Sequence, residues 1–220
     1  MNNFAVIFDM DGVISHTNPY HADAFRVFFN NYNIAATEEE FQEHMYGKHN
    51  SYIFQHFFQK KLDDSEIKTL EEEKEGLFRE IYKEHIQALP GFVELLNALK
   101  AENIKTGIAT SAPEANLRLI AESLDLYNKM ESIMYSELIV KHKPDPEIYL
   151  QTAKKLQIAP KNCLVFEDSS SGIKAAQAAG MEVCAVLTTH TKEQLPSCQW
   201  YIKDFQNLTF EKVQDWMAEE

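Results

Sequence analysis

Two aspartates stand directly after an apolar run near the start of the chain. Residues 4–8 read Phe-Ala-Val-Ile-Phe, and Asp9, Asp11 and Gly12 come next. An apolar run without polar interruption predicts a strand that is buried on both faces. In open α/β sheets, the ligand site lies just outside the carboxyl ends of the strands. The two carboxylates therefore stand where a catalytic site would form, although an Asp-x-Asp-Gly sequence is also compatible with a turn that carries solvated acids.

Further polar side chains follow the other predicted strands or introduce the helices between them. They are Thr110, Ser111, Lys143, Glu167 and Asp168. A parallel sheet would bring the carboxyl ends of its strands to one edge. We therefore expect these polar groups to form one cluster with the two aspartates.

The residue types in this cluster suit phosphoryl transfer. Carboxylates can hold a hard cation such as Mg²⁺, which prefers oxygen ligands. One Asp can act as the nucleophile that forms an acyl phosphate, and a second Asp nearby can act as general acid and then as general base. A threonine hydroxyl beside a helix N-terminus can donate to phosphate oxygens, and a lysine can neutralise the charge that develops during transfer.

The elements that must position these groups alternate between strand and helix after Pro90-Gly91. The apolar patterns predict strands at 104–110, 132–135, 163–166, 183–187 and 201–202, and helices at 92–101, 113–124, 146–156, 170–179 and from 210 onward. Repeated strand–helix units imply a parallel sheet with helices on both faces and right-handed connections. The sequence thus predicts an α/β fold for residues 1–15 together with 86–220.

Residues 16–85 show helical spacing and almost no strand signal, so they are expected to form an inserted helical domain. Pro19 suits the first turn of one helix, and a capping box at Thr37 opens a second. Further helices are expected from Ser51 and from Ser65. The aromatic side chains expected in the core of this domain are Phe28, Phe29, Phe54, Phe57 and Phe58.

The charge run in the last of these helices is expected to be a solvated face. Its apolar stripe would comprise Leu70, Leu77, Phe78 and Ile81, while the polar face would carry Lys68, Glu71 and Glu75.

The composition excludes several classes of function. The net charge is −13, from 34 acidic residues against 21 Lys and Arg, which disfavours nucleic-acid binding. There is no apolar run of eighteen residues, so no membrane span is expected, and the N-terminus has no signal-peptide pattern. Cys163, Cys184 and Cys198 show no CxxC spacing, and buried free thiols are expected for the first two. We therefore expect a cytoplasmic protein, monomeric by default.

The ordered set of motifs resembles the haloacid dehalogenase superfamily, specifically its branch with a small helical cap that includes β-phosphoglucomutase-like phosphatases. The matching segments are residues 9–13 (Asp-Met-Asp-Gly-Val), the strand that ends at Thr110, residues 143–146 (Lys-Pro-Asp-Pro) and residues 167–173 (Glu-Asp-Ser-Ser-Ser-Gly-Ile). Their order and spacing span the chain from residue 9 to about 180. As a set, these motifs are highly specific.

The resemblance implies a Rossmann-like α/β/α core with a parallel sheet and an inserted four-helix cap that closes over the site. Asp9 would be the nucleophile and Asp11 the general acid and base. Mg²⁺ would be held by Asp9, by the backbone carbonyl of Asp11 and by Asp168. Thr110 and Lys143 would bind the phosphoryl group. We expect Glu167 to orient Lys143 or the metal's waters.

Differences within the superfamily narrow the expected reaction. Dehalogenases and phosphonatases lack the second acid, so Asp11 favours phosphate chemistry. β-Phosphoglucomutase carries an Arg in its cap loop for the second phosphate of its substrate, and residues 46–50 here have no Arg at the matching place. Lys48 would replace it only as a point charge. We therefore expect a phosphatase that acts on a small metabolite such as a sugar phosphate.

Other readings remain as alternatives. One is a β-phosphoglucomutase-like phosphomutase, and a minor one is an inorganic pyrophosphatase. A non-catalytic relative is disfavoured because all four of the core groups are present: Asp9, Asp11, Lys143 and Asp168.

The residues expected to contact the substrate are Ser111, His21, Gly47, Lys48, Asn50 and Lys74. Most have a simpler interpretation as well. Ser111 is compatible with a turn, His21 with a helix cap or a solvated position, and Lys74 with ion pairs to neighbouring glutamates.

Overall fold

The computed structural model describes residues 4–45 and 50–218, with only the backbone described at Gln42. The chain forms two compact units, Met1–His16 with Ile86–Glu220, and Thr17–His85. We refer to them as the core unit and the helical unit.

The sheet of the core unit is entirely parallel, as predicted. Its strands in the described residues are β1 (Ala5–Phe8), β2 (Lys105–Ala109), β3 (Ser132–Met134), β4 (Cys163–Glu167), β5 (Glu182–Val186) and β6 (Trp200–Ile202), in the spatial order β3-β2-β1-β4-β5-β6. The first strand lies in the middle, where Phe8 pairs with Ile108 on one side and with Phe166 on the other. The predicted α/β class is therefore confirmed.

The helical unit contains α1 (Asn18–Asn31), α2 (Glu38–His44), α3 (Asn50–Phe58) and α4 (Asp64–Tyr82). The predicted capping box at Thr37 is present, with Glu40 as its partner. A second capping box, formed by Asp63 and Glu66, begins α4 slightly earlier than the predicted Ser65. Each box satisfies two backbone N–H groups that have no partner within the helix.

The core of the helical unit is aromatic, as expected. Phe28, Phe29, Phe54 and Phe57 are buried, and Phe58 packs against them while partly exposed. The expectation of a solvated face on α4 is wrong at Glu75, which is only 7% exposed. That carboxylate is buried because it pairs with a buried ammonium, which is described below.

The remaining helices of the core unit are α5 (Phe92–Ala101), α6 (Glu114–Ser123), α7 (Glu147–Leu156), α8 (Ser170–Ala178) and α9 (Phe210–Ala218). They agree with the predicted helices to within about two residues, the usual uncertainty of helix ends. In the described part of the chain, no helix has the length and apolarity needed to cross a membrane.

Both faces of the central strand are buried, which explains its uninterrupted apolar sequence. Ile7 belongs to a cluster with Val165 on one face of the sheet. On the other face, the ring of Phe8 stacks on that of Phe166 at a centroid distance of 5.3 Å and meets the edge of Phe92 at 5.2 Å. The strand that carries the aspartates is thus held rigidly on both sides.

The expectation of buried free thiols is confirmed for Cys163 and Cys184. Burial raises the pKa of Cys163 to about 12, and it also raises the pKa of Cys184 well above its ordinary value.

Candidate active site

The ends of three adjacent strands bring the predicted polar groups together. Asp9 follows β1, Thr110 follows β2, and Asp168 follows β4, which itself ends in Glu167. The backbone N–H of Asp9 donates to the carbonyl of Phe166 at 3.0 Å, so sheet pairing continues one residue past the strand. The aspartate is therefore fixed in position by the sheet itself.

Lys143 reaches this cluster from the segment before α7. Its Nζ donates to Asp9 Oδ1 at 2.7 Å, to Glu167 Oε1 at 2.7 Å and to the carbonyl of Ala109 at 3.0 Å. An ammonium group has three N–H donors, so all of them are used. The side chain is 3% exposed. Lys143 thus joins three strands at the point where their polar ends meet.

The electrostatics of the cluster are dominated by buried negative charge. Burial raises the pKa of Asp9 well above its ordinary value, and the ammonium of Lys143 opposes that rise. The carboxylates of Glu167, Asp168 and Asp11 add to it. Burial would lower the pKa of Lys143, but the charges of Asp9 and Glu167 raise it well above its usual range. A divalent cation would balance the remaining negative charge.

Three of the acids are arranged so that they could hold a metal ion. Asp9, Glu167 and Asp168 are buried, and one carboxylate oxygen from each lies within 4.8 Å of the others. An all-oxygen set suits a hard cation such as Mg²⁺. The predicted ligand set had Asp11 in place of Glu167. Asp11 is half-buried, and its charge is felt at Asp9.

The two predicted hydroxyl groups after β2 differ in their surroundings. Thr110 is fully buried, and its Oγ1 accepts a hydrogen bond from the backbone N–H of Ala112 at 3.0 Å. Ser111 is exposed. Thr110 is thus a fixed part of the loop between β2 and α6, whereas Ser111 is open to a ligand.

Some residues that contact this site were not predicted from the sequence. Tyr149 donates from its hydroxyl to Glu167 Oε1 at 3.0 Å. Thr189 donates to Asp168 Oδ2, and Nδ1 of His190 lies 3.2 Å from the carbonyl oxygen of Asp168. This Thr-His pair follows β5, the neighbour of β4 in the sheet. It could have been predicted because ligand sites lie just outside the carboxyl ends of such strands. Nothing in the local sequence identifies Tyr149.

The predicted substrate contacts of the helical unit form a cluster within that unit. Lys74 Nζ lies 2.8 Å from His21 Nδ1 and donates to Glu75 Oε1 at 2.8 Å. Asn50 Nδ2 donates to the same Glu75 oxygen at 3.4 Å. The ring of His21 stacks on Phe78 at 3.7 Å. The alternative interpretation of Lys74 was a pair with Glu71 or Glu75 at i,i+4 spacing. The ion pair with Glu75 is present, but it joins adjacent residues of the chain.

Gly47 and Lys48, the other two predicted contacts, lie outside the described residues.

Known proteins and a protein-family model are similar to this chain over most of its length. A family model described as haloacid dehalogenase-like hydrolase matches residues 6–186. The chain is 34% identical over 181 residues to a phosphorylated carbohydrates phosphatase of Thermotoga maritima, covering 81% of this chain and 82% of that protein. It is 32% identical over 186 residues to the β-phosphoglucomutase of Bacillus subtilis, covering 80% of each.

A solved structure is also similar over nearly the whole chain. It is a haloacid dehalogenase-type hydrolase of family IA, variant 3, from Entamoeba histolytica, with a TM-score of 0.91 and 30% identity. The similarity covers 98% of this chain and 100% of that one.

Proposed function

The chain belongs to the haloacid dehalogenase-like hydrolase family, as a sugar-phosphate phosphatase or phosphomutase-like enzyme, and on this premise we propose that it hydrolyses a small phosphate monoester through a phosphoaspartyl intermediate on Asp9. The observation that carries the proposal is the contact of the Asp9 carboxylate with the buried ammonium of Lys143, at 2.7 Å. That contact favours the ionised carboxylate, which is the form that can act as a nucleophile.

In the first step, the free carboxylate oxygen of Asp9 attacks phosphorus, and the bond between phosphorus and the ester oxygen breaks. Asp11 gives its proton to the departing alkoxide. In the second step, Asp11 takes a proton from water, and this water attacks the phosphorus of the acyl phosphate. Inorganic phosphate leaves, and the Asp9 carboxylate is restored.

The other groups of the site would stabilise charge during both steps. Lys143 and Thr110 would bind oxygens of the transferring group. A Mg²⁺ ion bound by Asp9, by Asp168 and by the backbone carbonyl of Asp11 would offset the repulsion between the nucleophile and the phosphate dianion. The buried acids of this chain fit such an ion because they offer oxygen donors and an excess of negative charge.

Substrate selection would depend on the helical unit, acting as a cap domain. We assign the contacts to His21, Asn50 and Lys74, together with Gly47 and Lys48, and to Ser111 in the core unit. The T. maritima relative is named for phosphorylated carbohydrates, which supports a sugar phosphate as the class of substrate.

A phosphomutase is the second candidate, and the B. subtilis relative supports it. A mutase must hold two phosphates in turn, so it needs positive charge away from the nucleophile. Lys74 could supply such charge, but its ammonium already contacts the carboxylate of Glu75 at 2.8 Å. This pairing reduces its attraction for a second phosphate and favours the phosphatase.

The test is phosphate release from a panel of sugar phosphates, pyrophosphate and p-nitrophenyl phosphate. Wild type is compared with Asp9→Asn, both with Mg²⁺ and with chelator. Asp215→Asn, the same change at an exposed position of α9, serves as the matched control. Release that requires Mg²⁺ and Asp9 but not Asp215 is the expected result.

Two results would overturn the proposal. Release that is unchanged in Asp9→Asn would exclude the covalent mechanism. Interconversion of β-glucose 1- and 6-phosphates in the presence of a bisphosphate, without release, would identify the mutase.

A further inference from the structure

The carboxylate of Glu167 is held by hydrogen bonds from the protein on both of its oxygens. Oε1 accepts from Lys143 Nζ at 2.7 Å and from the hydroxyl of Tyr149 at 3.0 Å. Oε2 accepts from the backbone N–H of Ser169 at 2.9 Å and from its hydroxyl at 3.0 Å. A carboxylate has about four lone-pair positions, so these four donors satisfy it. Protein donors alone thus hold the Glu167 carboxylate in place.

The packing around Glu167 confines its side chain. Its side chain is 1% exposed. It lies against Gly172 in the first turn of α8, where a Cβ atom would overlap the carboxylate. The carboxylate is therefore confined between α8 and the donors on its other side. Tyr149 and Ser169 have no role in the proposed mechanism, and of these two Tyr149 also lies against Lys143.

Tyr149 contacts both members of the Lys143–Glu167 pair. Its hydroxyl donates to Glu167, and the Lys143 ammonium lies 4.8 Å from the centroid of its ring. The residue is fully buried on α7. Burial, and then the charge of Glu167, raise the pKa of the phenol well above its ordinary value, so it remains a donor. One side chain thus restrains the carboxylate through a hydrogen bond and the ammonium through its aromatic face.

We propose that Tyr149 is a positioning residue, which acts through Glu167 to hold the Lys143 ammonium against Asp9. This inference rests on the proposed function for its kinetic consequences, but the contact that it describes does not depend on turnover. Tyr149→Phe removes the hydroxyl and keeps the ring. It therefore separates the hydrogen bond from the packing of the aromatic side chain.

The kinetic expectation is a loss in kcat without a matching rise in KM. Removing an outer hydrogen-bond partner of an active-site ligand typically costs about 10- to 100-fold in activity. We expect a decrease at the lower end of this range, because Glu167 would retain three donors. The Mg²⁺ concentration for half-maximal activity should stay unchanged, since Glu167 is not required as a ligand.

The structural readout is the ¹⁵N NMR signal of the Lys143 ammonium, assigned by its absence in Lys143→Arg. We expect this signal to shift and its hydrogen exchange to accelerate in Tyr149→Phe. Tyr201→Phe is the matched control, because it also removes a tyrosine hydroxyl from the core unit. That hydroxyl accepts a hydrogen bond from the backbone N–H of Cys198. Thermal unfolding of each variant shows how much of any loss reflects unfolded protein.

The outcomes separate this proposal from the proposed function. An unchanged Lys143 signal in Tyr149→Phe would overturn the positioning role, whatever the enzyme turns over. A loss of activity that merely follows the unfolded fraction would overturn it too. A perturbed signal in a protein that releases no phosphate from any substrate would support the positioning of Lys143 and overturn the phosphatase.

Discussion

Among the residues that the structure describes, each unit buries one lysine, and the two lysines differ in their partners. Lys143 in the core unit is 3% exposed, and Lys74 in the helical unit is 2% exposed. The ammonium of Lys143 contacts two carboxylates, those of Asp9 and Glu167, and an oxygen of a third buried acid, Asp168, lies within 4.8 Å of an oxygen of each. The ammonium of Lys74 contacts one carboxylate, that of Glu75, and lies 4.4 Å from the ring centroid of Phe25.

This difference in charge balance distinguishes a site with excess negative charge from one whose charges are closer to balance. A buried charge is costly unless it is paired, and the Lys74 ammonium pairs with the Glu75 carboxylate, which His21 also approaches at 3.9 Å. At the strand ends, three buried carboxylates outnumber the single ammonium. Burial raises the pKa of Asp9, the neighbouring carboxylates raise it further, and their excess charge creates a place for a cation. Equal burial therefore does not imply an equal role.

The strongest test of this comparison is to remove each ammonium in turn. Lys143→Met leaves the carboxylates of Asp9 and Glu167 unpaired, and breaking a buried pair costs about 3–5 kcal/mol of stability. It would also remove the group that we propose to stabilise charge in the transition state, so kcat should fall by about 10²- to 10³-fold. Steady-state kinetics and urea unfolding measure the two effects.

Lys74→Met is the matched control for this prediction. We expect a similar loss of stability, whereas any effect on catalysis should appear in KM. If the two variants reduced kcat equally, the charge balance would not distinguish the two lysines in function.

The second test concerns the cation that the core unit is expected to bind. Ligand that binds only the folded state, at about 100 times its dissociation constant, adds about 2.7 kcal/mol to the free energy of unfolding. We expect Mg²⁺ to stabilise the wild-type protein to this extent and chelator to remove the effect. Asp168→Asn should abolish the response, and Glu75→Gln in the helical unit should retain it. An equal response in both variants would place the ion elsewhere.

The sequence contained more information about the core unit than about the helical one. Asp9, Thr110 and Glu167 could be placed because apolar strands are recognisable and a parallel sheet brings their ends to one edge. Tyr149 could not, because it stands between two apolar residues of α7 and its partner Glu167 lies 18 positions away. Its role depends on tertiary contacts that no local pattern encodes.

The burial of Lys74 could have been predicted from its spacing to apolar residues of α4. It lies four residues after Leu70 and four before Phe78, both of which are buried. Residues four apart share one helix face, so Lys74 belongs to the apolar stripe of α4. The expectation of a solvated face was based on the charged residues of α4 and not on the spacing of its apolar residues. The burial of Glu75 is a consequence of its pairing with this lysine, which only the structure shows.

The third test asks whether the Lys74–Glu75 pair can be replaced. Apolar residues of similar volume often substitute for a buried ion pair at no cost, whereas removing one partner is destabilising. We expect the double variant Lys74→Met/Glu75→Leu to recover about 2 kcal/mol of the loss seen in the single variants, a coupling typical of residues in contact. A double-mutant cycle from urea unfolding gives this coupling. Strictly additive losses would show that the two charges do not form an isolated pair.

The smallest expected effect is an alkaline loss of stability that comes from one buried thiol of the core unit, Cys163. The pKa of Cys163 rises from an ordinary 9.0 to about 12 in the folded protein, so folding favours the neutral thiol. Its stabilising contribution is complete below about pH 9 and declines as the pH rises towards 12. The slope is about 1.4 kcal/mol per pH unit for one thiol.

Urea unfolding at about pH 8 and about pH 10 measures this decline, and comparison with Cys163→Ala isolates the one thiol. Other groups titrate in the same range, but their contributions cancel in the difference between the two proteins. We expect wild type to lose about 1.4 kcal/mol more than Cys163→Ala over this interval. Equal losses in wild type and Cys163→Ala would mean that the Cys163 thiol ionises as readily in the folded protein as in the unfolded chain.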